Sequence, residues 1–92
     1  MMEINLNKEK YRAEAKDKEN IIGLCEYKIK EDVVDIYHTE VDPSYAGKGI
    51  ANKLLDEVVD FAKKENIKIY PTCSYVRKKF DEDKSYKDID AR

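Results

Sequence analysis

The chain has 92 residues, 41% hydrophobic and 41% charged, which suits one small domain with a modest core and a densely charged surface. Its 18 Lys and Arg residues against 20 Asp and Glu residues give a net charge of −2, which argues against a protein dedicated to nucleic acid. The start, MMEINLNKEK, lacks the apolar stretch of a signal peptide, and no apolar run approaches the roughly 20 residues of a membrane span. We therefore expect one cytoplasmic domain over 1–92 that contacts no membrane, with reduced cysteines and no metal site.

The first predicted elements are three strands joined by short polar turns. They cover 10–16, 21–29 and 33–41, where apolar positions alternate or β-branched and aromatic residues are frequent. Because the connections are short, an antiparallel meander is expected. In the first strand, Tyr11 is predicted to share a face with the small apolar residues Ala13 and Ala15.

The third strand, VVDIYHTEV, has the clearest alternation. A strict period of two places its even-numbered residues on one face and its odd-numbered residues on the other. The first face is then made of Val34, Ile36, His38 and Glu40. The second face is made of Val33, Tyr37, Thr39 and Val41.

An amphipathic helix follows the strand. Asp42-Pro43 ends the strand because proline removes a ladder donor, and the apolar period becomes helical from Ile50. Asn66 is predicted as a left-handed cap at the end of this helix. The predicted apolar stripe is Ile50, Leu54, Val58 and Phe61, widened by Ala51, Leu55 and Ala62.

The last elements are a short strand at 68–72 and a short helix capped by Ser74. Strand, helix and strand form a crossover unit, so 68–72 should run parallel to 33–41, with Tyr70 in the core. The tail is expected to form one helical turn that carries Tyr86 and Ile89. The predicted fold class is α+β: three antiparallel strands, a crossover helix, a parallel fourth strand and a short carboxy-terminal helix.

Two of the chain's three glycines, Gly47 and Gly49, flank Lys48 directly before the long helix. A helix N-terminus presents unpaired N–H groups and partial positive charge, and glycines let a ligand approach the backbone closely. The stretch AGKGIA is therefore a candidate pyrophosphate cradle, with a plain turn as the alternative. It matches neither a P-loop nor the dinucleotide-binding fingerprint.

The segment HTEVDPSYAGKGIANKLL resembles the acetyl-coenzyme A binding segment of the GCN5-related N-acetyltransferases. That family carries Arg/Gln-x-x-Gly-x-Gly/Ala between a strand that ends in a Val-x-Pro turn and a long amphipathic helix. Here Gly49 and Ala51 fill the two small positions, and Gly47 is the frequent extra glycine. The chain departs from the pattern at Ala46, where the family usually has Arg or Gln. That change removes one side-chain contact but leaves the backbone amides in place.

The motifs HTEV at 38–41 and PTCSYV at 71–76 extend the resemblance to a short branch of the family, over roughly residues 10–90. The resemblance implies a truncated acyl-CoA N-acyltransferase fold that lacks the amino-terminal helices with which larger members bind acceptors. It also implies acetyl-CoA (coenzyme A) as the cofactor. The implied cofactor-binding residues are Thr39, Val41, Ala46, Gly47, Lys48, Gly49, Ile50 and Ala51.

Four residues are candidates for catalysis: Cys73, His38, Glu40 and Tyr75. Cys73 follows the last strand beside a helix N-terminus, a setting that favours the thiolate, and the resemblance places it near the acetyl group. There it can form an acetyl-enzyme, polarise the leaving thiol or form a mixed disulfide with coenzyme A; the alternative is a small buried hydrophobe, as we expect for Cys25. His38 and Glu40 either accept protons or only line the sheet, and Tyr75 either protonates the leaving thiolate or packs.

Two functions of different classes are therefore open. The first is an acetyl-CoA-dependent N-acetyltransferase whose acceptor amine is a small molecule or a protein lysine. The second is a coenzyme A or acyl-CoA binding module with little or no transferase activity, which the missing acceptor helices and Ala46 favour. A purely structural role would leave the glycine loop without a ligand. The exposed edges of a small sheet are compatible with a monomer or a weak dimer.

Overall fold

The computed structural model describes residues 2–92, which form one sheet with two α-helices. The strands are β1 (Met2–Asn7), β2 (Arg12–Asp17), β3 (Asn20–Lys30), β4 (Val33–Val41) and β5 (Lys68–Pro71). The helices are α1 (Ile50–Lys64) and α2 (Ser74–Glu82), and 3₁₀ turns lie at Pro43–Tyr45 and Lys84–Ile89. The strand order is β1-β2-β3-β4-β5, antiparallel from β1 to β4 and parallel between β4 and β5. Neither α-helix has the length and apolar character to cross a bilayer.

The predicted α+β class and its crossover unit are confirmed. β4 and the start of α1 lie where the sequence placed them, and Asn66 has the left-handed backbone expected of a cap, with φ 58°. The predicted meander of three strands is incomplete, because β1 adds a fourth antiparallel strand at the edge of the sheet. Its Ile4 and Leu6 are partly buried against the core.

Three local predictions are wrong. Tyr11 precedes β2, has φ 56° and is 51% exposed, so it does not share the buried face of Ala13 and Ala15. Tyr70 is 44% exposed because its position in β5 faces away from the core. Ser74 is the first helical residue of α2 rather than its cap, a position that Cys73 occupies.

A β-bulge in β4 overturns the predicted faces of this strand. Tyr27 of β3 pairs with Ile36 and the preceding residue Glu26 pairs with His38, so Tyr37 is an extra residue in β4. An extra residue inverts the alternation of every later side chain. Thr39 therefore joins the helix-covered face with Ile36, whereas His38 lies on the opposite, outer face.

The core lies between one face of the sheet and α1. The apolar stripe of the helix packs on β1 to β4, and Gly23 of β3 permits the close approach, since an added β-carbon would lie 3.1 Å from Leu54. The carboxy-terminal turn closes the core where Tyr86 stacks on Phe80 with ring centroids 4.9 Å apart. The buried residues of α1 are Ile50, Leu54, Leu55, Val58, Val59 and Ala62. Opposite this layer, the outer face of β4 is exposed to solvent at His38 and Glu40.

Candidate functional site

The last part of β4 has a free backbone edge. Pairing between β4 and β5 ends at Ile36 and Pro71, followed by a hydrogen bond of 2.8 Å from the Cys73 N–H to the Ile36 carbonyl. Beyond that point, residues 38–41 pair with β3 on one side, and residues 37–41 pair with no strand of the described chain on the other. Backbone N–H and C=O groups need partners, so this edge can accept an extended, amide-containing ligand.

The glycine loop is fixed to the sheet by its preceding turn. The Asp42 carboxylate accepts hydrogen bonds from the Ser44 N–H at 2.9 Å and from the Ser44 hydroxyl at 2.8 Å, which lower the pKa of Asp42. The Tyr45 hydroxyl donates to Asp17 at the end of β2, and this bond raises the pKa of Tyr45. The loop is thereby held by two strands that are distant in sequence.

Gly47 and Gly49 both have left-handed backbone, with φ +79° and +74°. An added β-carbon would meet no atom within 4 Å at either position, so conformation rather than space requires glycine. Gly49 is the N-cap residue of α1, and the described residues offer this N-cap neither a side-chain cap nor an acidic group in the first turn. The helix N-terminus is therefore open to an external anion.

A cavity of about 250 Å³ lies directly over this loop. Its lining includes most of the predicted cofactor-binding residues, but neither Thr39 nor Lys48. Lys48 lies close by, with its Nζ 5.9 Å from the centroid of the Tyr45 ring. The lining residues are Val41, Tyr45, Ala46, Gly47, Gly49, Ile50, Ala51, Asn52 and Tyr75. Sequence reasoning missed Tyr45 and Asn52; their positions beside the two glycines are the only signal for them.

Beside this cavity, two thiols are linked through one hydroxyl. Cys73 Sγ donates to Thr39 Oγ1 at 3.6 Å, and Thr39 Oγ1 donates to Cys25 Sγ at 3.6 Å. Cys25 is fully buried in the core, as predicted, and burial raises its pKa to about 12. Tyr75 interacts electrostatically with both thiols. Its pKa is raised mainly by burial and by the Asp56 carboxylate.

His38 and Glu40 form a second group on the outer face of β4. His38 Nε2 lies 2.9 Å from Glu40 Oε1, and their side chains are 46% and 62% exposed. His38 and Glu40 lie close together, as predicted. The bulge, however, places them on the opposite side of the sheet from Cys73 and Tyr75. A cavity of about 360 Å³ lies on the Glu40 side, bounded by Leu24, Asp42 and Pro43 among others.

Comparison with known proteins is consistent across sequence and structure. A sequence profile described as GCN5-related N-acetyl-transferase matches residues 10–89. Protein NATD1 of Gallus gallus and of Mus musculus are each 42% identical over 55 residues, which are 60% of this chain and 49% of the relative. The match thus spans about half the length of these curated relatives.

Two solved structures share the fold. A provisionally assigned GCN5-like N-acetyltransferase from Staphylococcus aureus has a TM-score of 0.76 and 28% identity, covering 96% of this chain and 86% of that one. The PaiA N-acetyltransferase from Thermoplasma acidophilum, crystallised with coenzyme A, has a TM-score of 0.61 and 24% identity, covering 77% of this chain and 48% of that one.

Proposed function

The chain belongs to the GCN5-related N-acetyltransferase family, and from this we propose that it transfers the acetyl group of acetyl-CoA to an amine. The observation that carries the proposal is the free edge of β4 at residues 37–41, which leads directly to the uncapped N-terminus of α1. One extended ligand with amides at one end and a pyrophosphate at the other fits both features. Coenzyme A has this chemistry, and it is bound in the PaiA N-acetyltransferase of the same fold.

The binding roles follow from the backbone. Amides in the loop from Gly47 to Ala51 are proposed to hold the pyrophosphate, with Lys48 adding positive charge at the rim. Backbone groups around Thr39 and Val41 are proposed to pair with the pantetheine amides. None of these interactions requires a particular side chain, so Ala46 does not preclude binding.

The chemistry requires a proton to leave the acceptor and a thiolate to leave the cofactor. The amine nitrogen attacks the thioester carbonyl, a C–N bond forms, the C–S bond breaks, and the amine proton passes to a base. The two groups of candidate catalytic residues can divide these two tasks between them. Glu40 and His38 on the outer face are proposed to take the proton, directly or through water. Tyr75 and Cys73 on the helix-covered side are proposed to serve the leaving thiolate.

One observation favours the alternative of a coenzyme A binding module without transfer. The outer face of β4 lies open around the exposed side chains of His38 and Glu40, and no helix of the described residues encloses an acceptor there. An enzyme with this architecture must take its acceptor from an open surface.

Binding is tested by following backbone amide resonances during titration with acetyl-CoA. We expect the Gly47, Gly49 and Ala51 amides to shift. Gly49→Ala should weaken binding by up to about thirtyfold, because a left-handed alanine costs about 1–2 kcal/mol and the free loop relaxes into another conformation that binding must reverse. Asn66→Ala is the matched control, since it places the same strain at the other end of α1. Loop amides that stay unshifted at saturating acetyl-CoA would exclude both the enzyme and the binding module.

Transfer is tested with labelled acetyl-CoA and a pool of primary amines. We expect labelled amide product, slowed at least tenfold by Glu40→Gln and by Cys73→Ala. Mass spectrometry of the protein after brief incubation reports whether Cys73 carries an acetyl group. Binding without product, unaffected by Cys73→Ala, would assign the chain to the binding-module class.

A further inference from the structure

We propose that the side-chain hydroxyl of Thr39 is a positioning group that turns between two sulfur atoms and stabilises Cys73 when its thiol loses the proton. The importance of this step for acetyl transfer rests on the proposed function, which places Cys73 beside the reacting thioester. The arrangement itself rests on the geometry of Thr39, Cys25 and Cys73. No backbone role of Thr39 is needed for it.

The hydroxyl has two competing sulfur partners at the same distance. Thr39 Oγ1 lies 3.6 Å from Cys25 Sγ and 3.6 Å from Cys73 Sγ. A threonine hydroxyl has one hydrogen to donate and can accept as well. While Cys73 is protonated, the Thr39 hydroxyl accepts a hydrogen bond from Cys73 and donates one to Cys25. Both hydrogen bonds therefore point from Cys73 towards Cys25.

Loss of the Cys73 proton changes the sulfur atom to which the Thr39 hydroxyl donates. The thiolate can no longer donate, and a hydrogen bond to a charged acceptor is about twice as strong as one between neutral groups. The Thr39 hydroxyl then forms a stronger hydrogen bond when it turns its hydrogen from Cys25 towards the Cys73 thiolate. Cys25 gives up only a bond to a neutral sulfur, which is a weak acceptor.

The surroundings assign the charge to Cys73 and not to Cys25. Cys25 is fully buried, and burial holds its pKa at about 12. Cys73 is half-buried and occupies the N-cap of α2, where the helix dipole favours a negative group. Two titratable groups interact with the thiols: Tyr75 on α2, which also lies near Asp56 of α1, and Glu26 on β3. Arg77 of α2 is engaged with the carbonyls of Pro71 and Thr72, to which it donates.

The experiment measures the rate of Cys73 alkylation by iodoacetamide against pH, with the site identified by peptide mass spectrometry. In Thr39→Val, which keeps the shape but lacks the hydroxyl, we expect the midpoint to rise by about one pH unit, as befits a lost bond to a charged group. Thr39→Ser should keep the wild-type midpoint. Cys25→Ala removes the competing acceptor, so its midpoint should fall by a few tenths of a unit.

A Thr39→Val midpoint equal to wild type in a folded variant would overturn the inference. Where Thr39→Val fails to fold, the Cys25→Ala arm decides: a lower midpoint supports the inference, and an unchanged or higher midpoint overturns it. The assay contains no acetyl-CoA. A shifted midpoint in a protein that makes no acetylated amine would therefore leave the thiol arrangement standing while the proposed transferase activity fails.

Discussion

Ala46 is the residue at which the chain departs most clearly from the pattern of the family. It lines the cavity over the glycine loop and is exposed to solvent. The family usually has Arg or Gln here, and either side chain would add a donor for a phosphate oxygen. The proposed binding of acetyl-CoA therefore depends on backbone amides and Lys48 alone.

Ala46→Arg should strengthen acetyl-CoA binding. A guanidinium at the mouth of the cavity adds a charge-assisted hydrogen bond to phosphate, so we expect a gain of about five- to tenfold that shrinks at high salt. Isothermal titration at two ionic strengths measures it. Asn5→Arg, on the exposed edge strand, adds the same charge elsewhere; an equal gain in that control would attribute the effect to net charge.

The sequence was sufficient to locate the glycine loop, because GxG before a helix is a local pattern. It could not reveal the partners of Thr39 and Tyr45. The Thr39 hydroxyl meets Cys25 only through the register of β3 against β4, and Tyr45 reaches Asp17 across 28 residues of chain. Side-chain contacts of this kind depend on tertiary register, which local patterns do not contain.

At the scale of elements, the bulge in β4 determines the layout of the site. Strict alternation would have kept His38 on the face of Ile36 and left Thr39 outside. The extra residue Tyr37 has no sequence signature of its own, because a bulge is a property of two paired strands. In contrast, β1 has a local signal in the sequence, because Ile4 and Leu6 alternate with polar residues in MEINLN.

Deletion of Tyr37 should remove the bulge while the flanking pairs of β3 and β4 keep their register. We expect a folded protein that has lost acetyl-CoA binding, because β4 then continues regularly beside β5 and the free edge is altered. Tyr37→Ala keeps the extra residue and should retain binding. Circular dichroism checks the fold, and the amide titration measures the binding.

Wild-type affinity in the folded deletion variant would show that the bulge is not needed for the cofactor site. Loss of binding in Tyr37→Ala as well would instead assign the effect to the tyrosine ring, which lies 5.8 Å from Lys28 Nζ.

The described chain is a thin slab of 35 × 29 × 18 Å with one helical layer on one sheet. A core this small depends on contributions from its terminus. Tyr86 and Ile89 of the last 3₁₀ turn are buried, and the Tyr86 hydroxyl donates to Asp56 of α1 at 3.1 Å. The sequence predicted a turn with these two residues, and the structure explains their burial.

Truncation after Asp83 should destabilise the protein severely. Each buried Tyr or Ile side chain contributes about 1.5–3 kcal/mol, so we expect a loss of about 4 kcal/mol from a total that is typically 5–15 kcal/mol. Urea denaturation measures it. Removal of Arg92 alone, which loses an exposed ion pair with Asp81 and a partly buried one with Asp90, should cost no more than about 1 kcal/mol. If the protein truncated after Asp83 were as stable as the full chain, the last 3₁₀ turn would be dispensable for folding.

The order of the strands in the sheet is also their order in the chain, which has a consequence for folding. The pairings from β1 to β4 close only short hairpin loops, whereas β5 meets β4 after the connection 42–67 and therefore carries the largest loop-closure entropy. That connection contains the glycine loop and α1. Local unfolding that releases β5 together with this connection would therefore displace the proposed cofactor-binding loop, while the ladder from β1 to β4 stays paired.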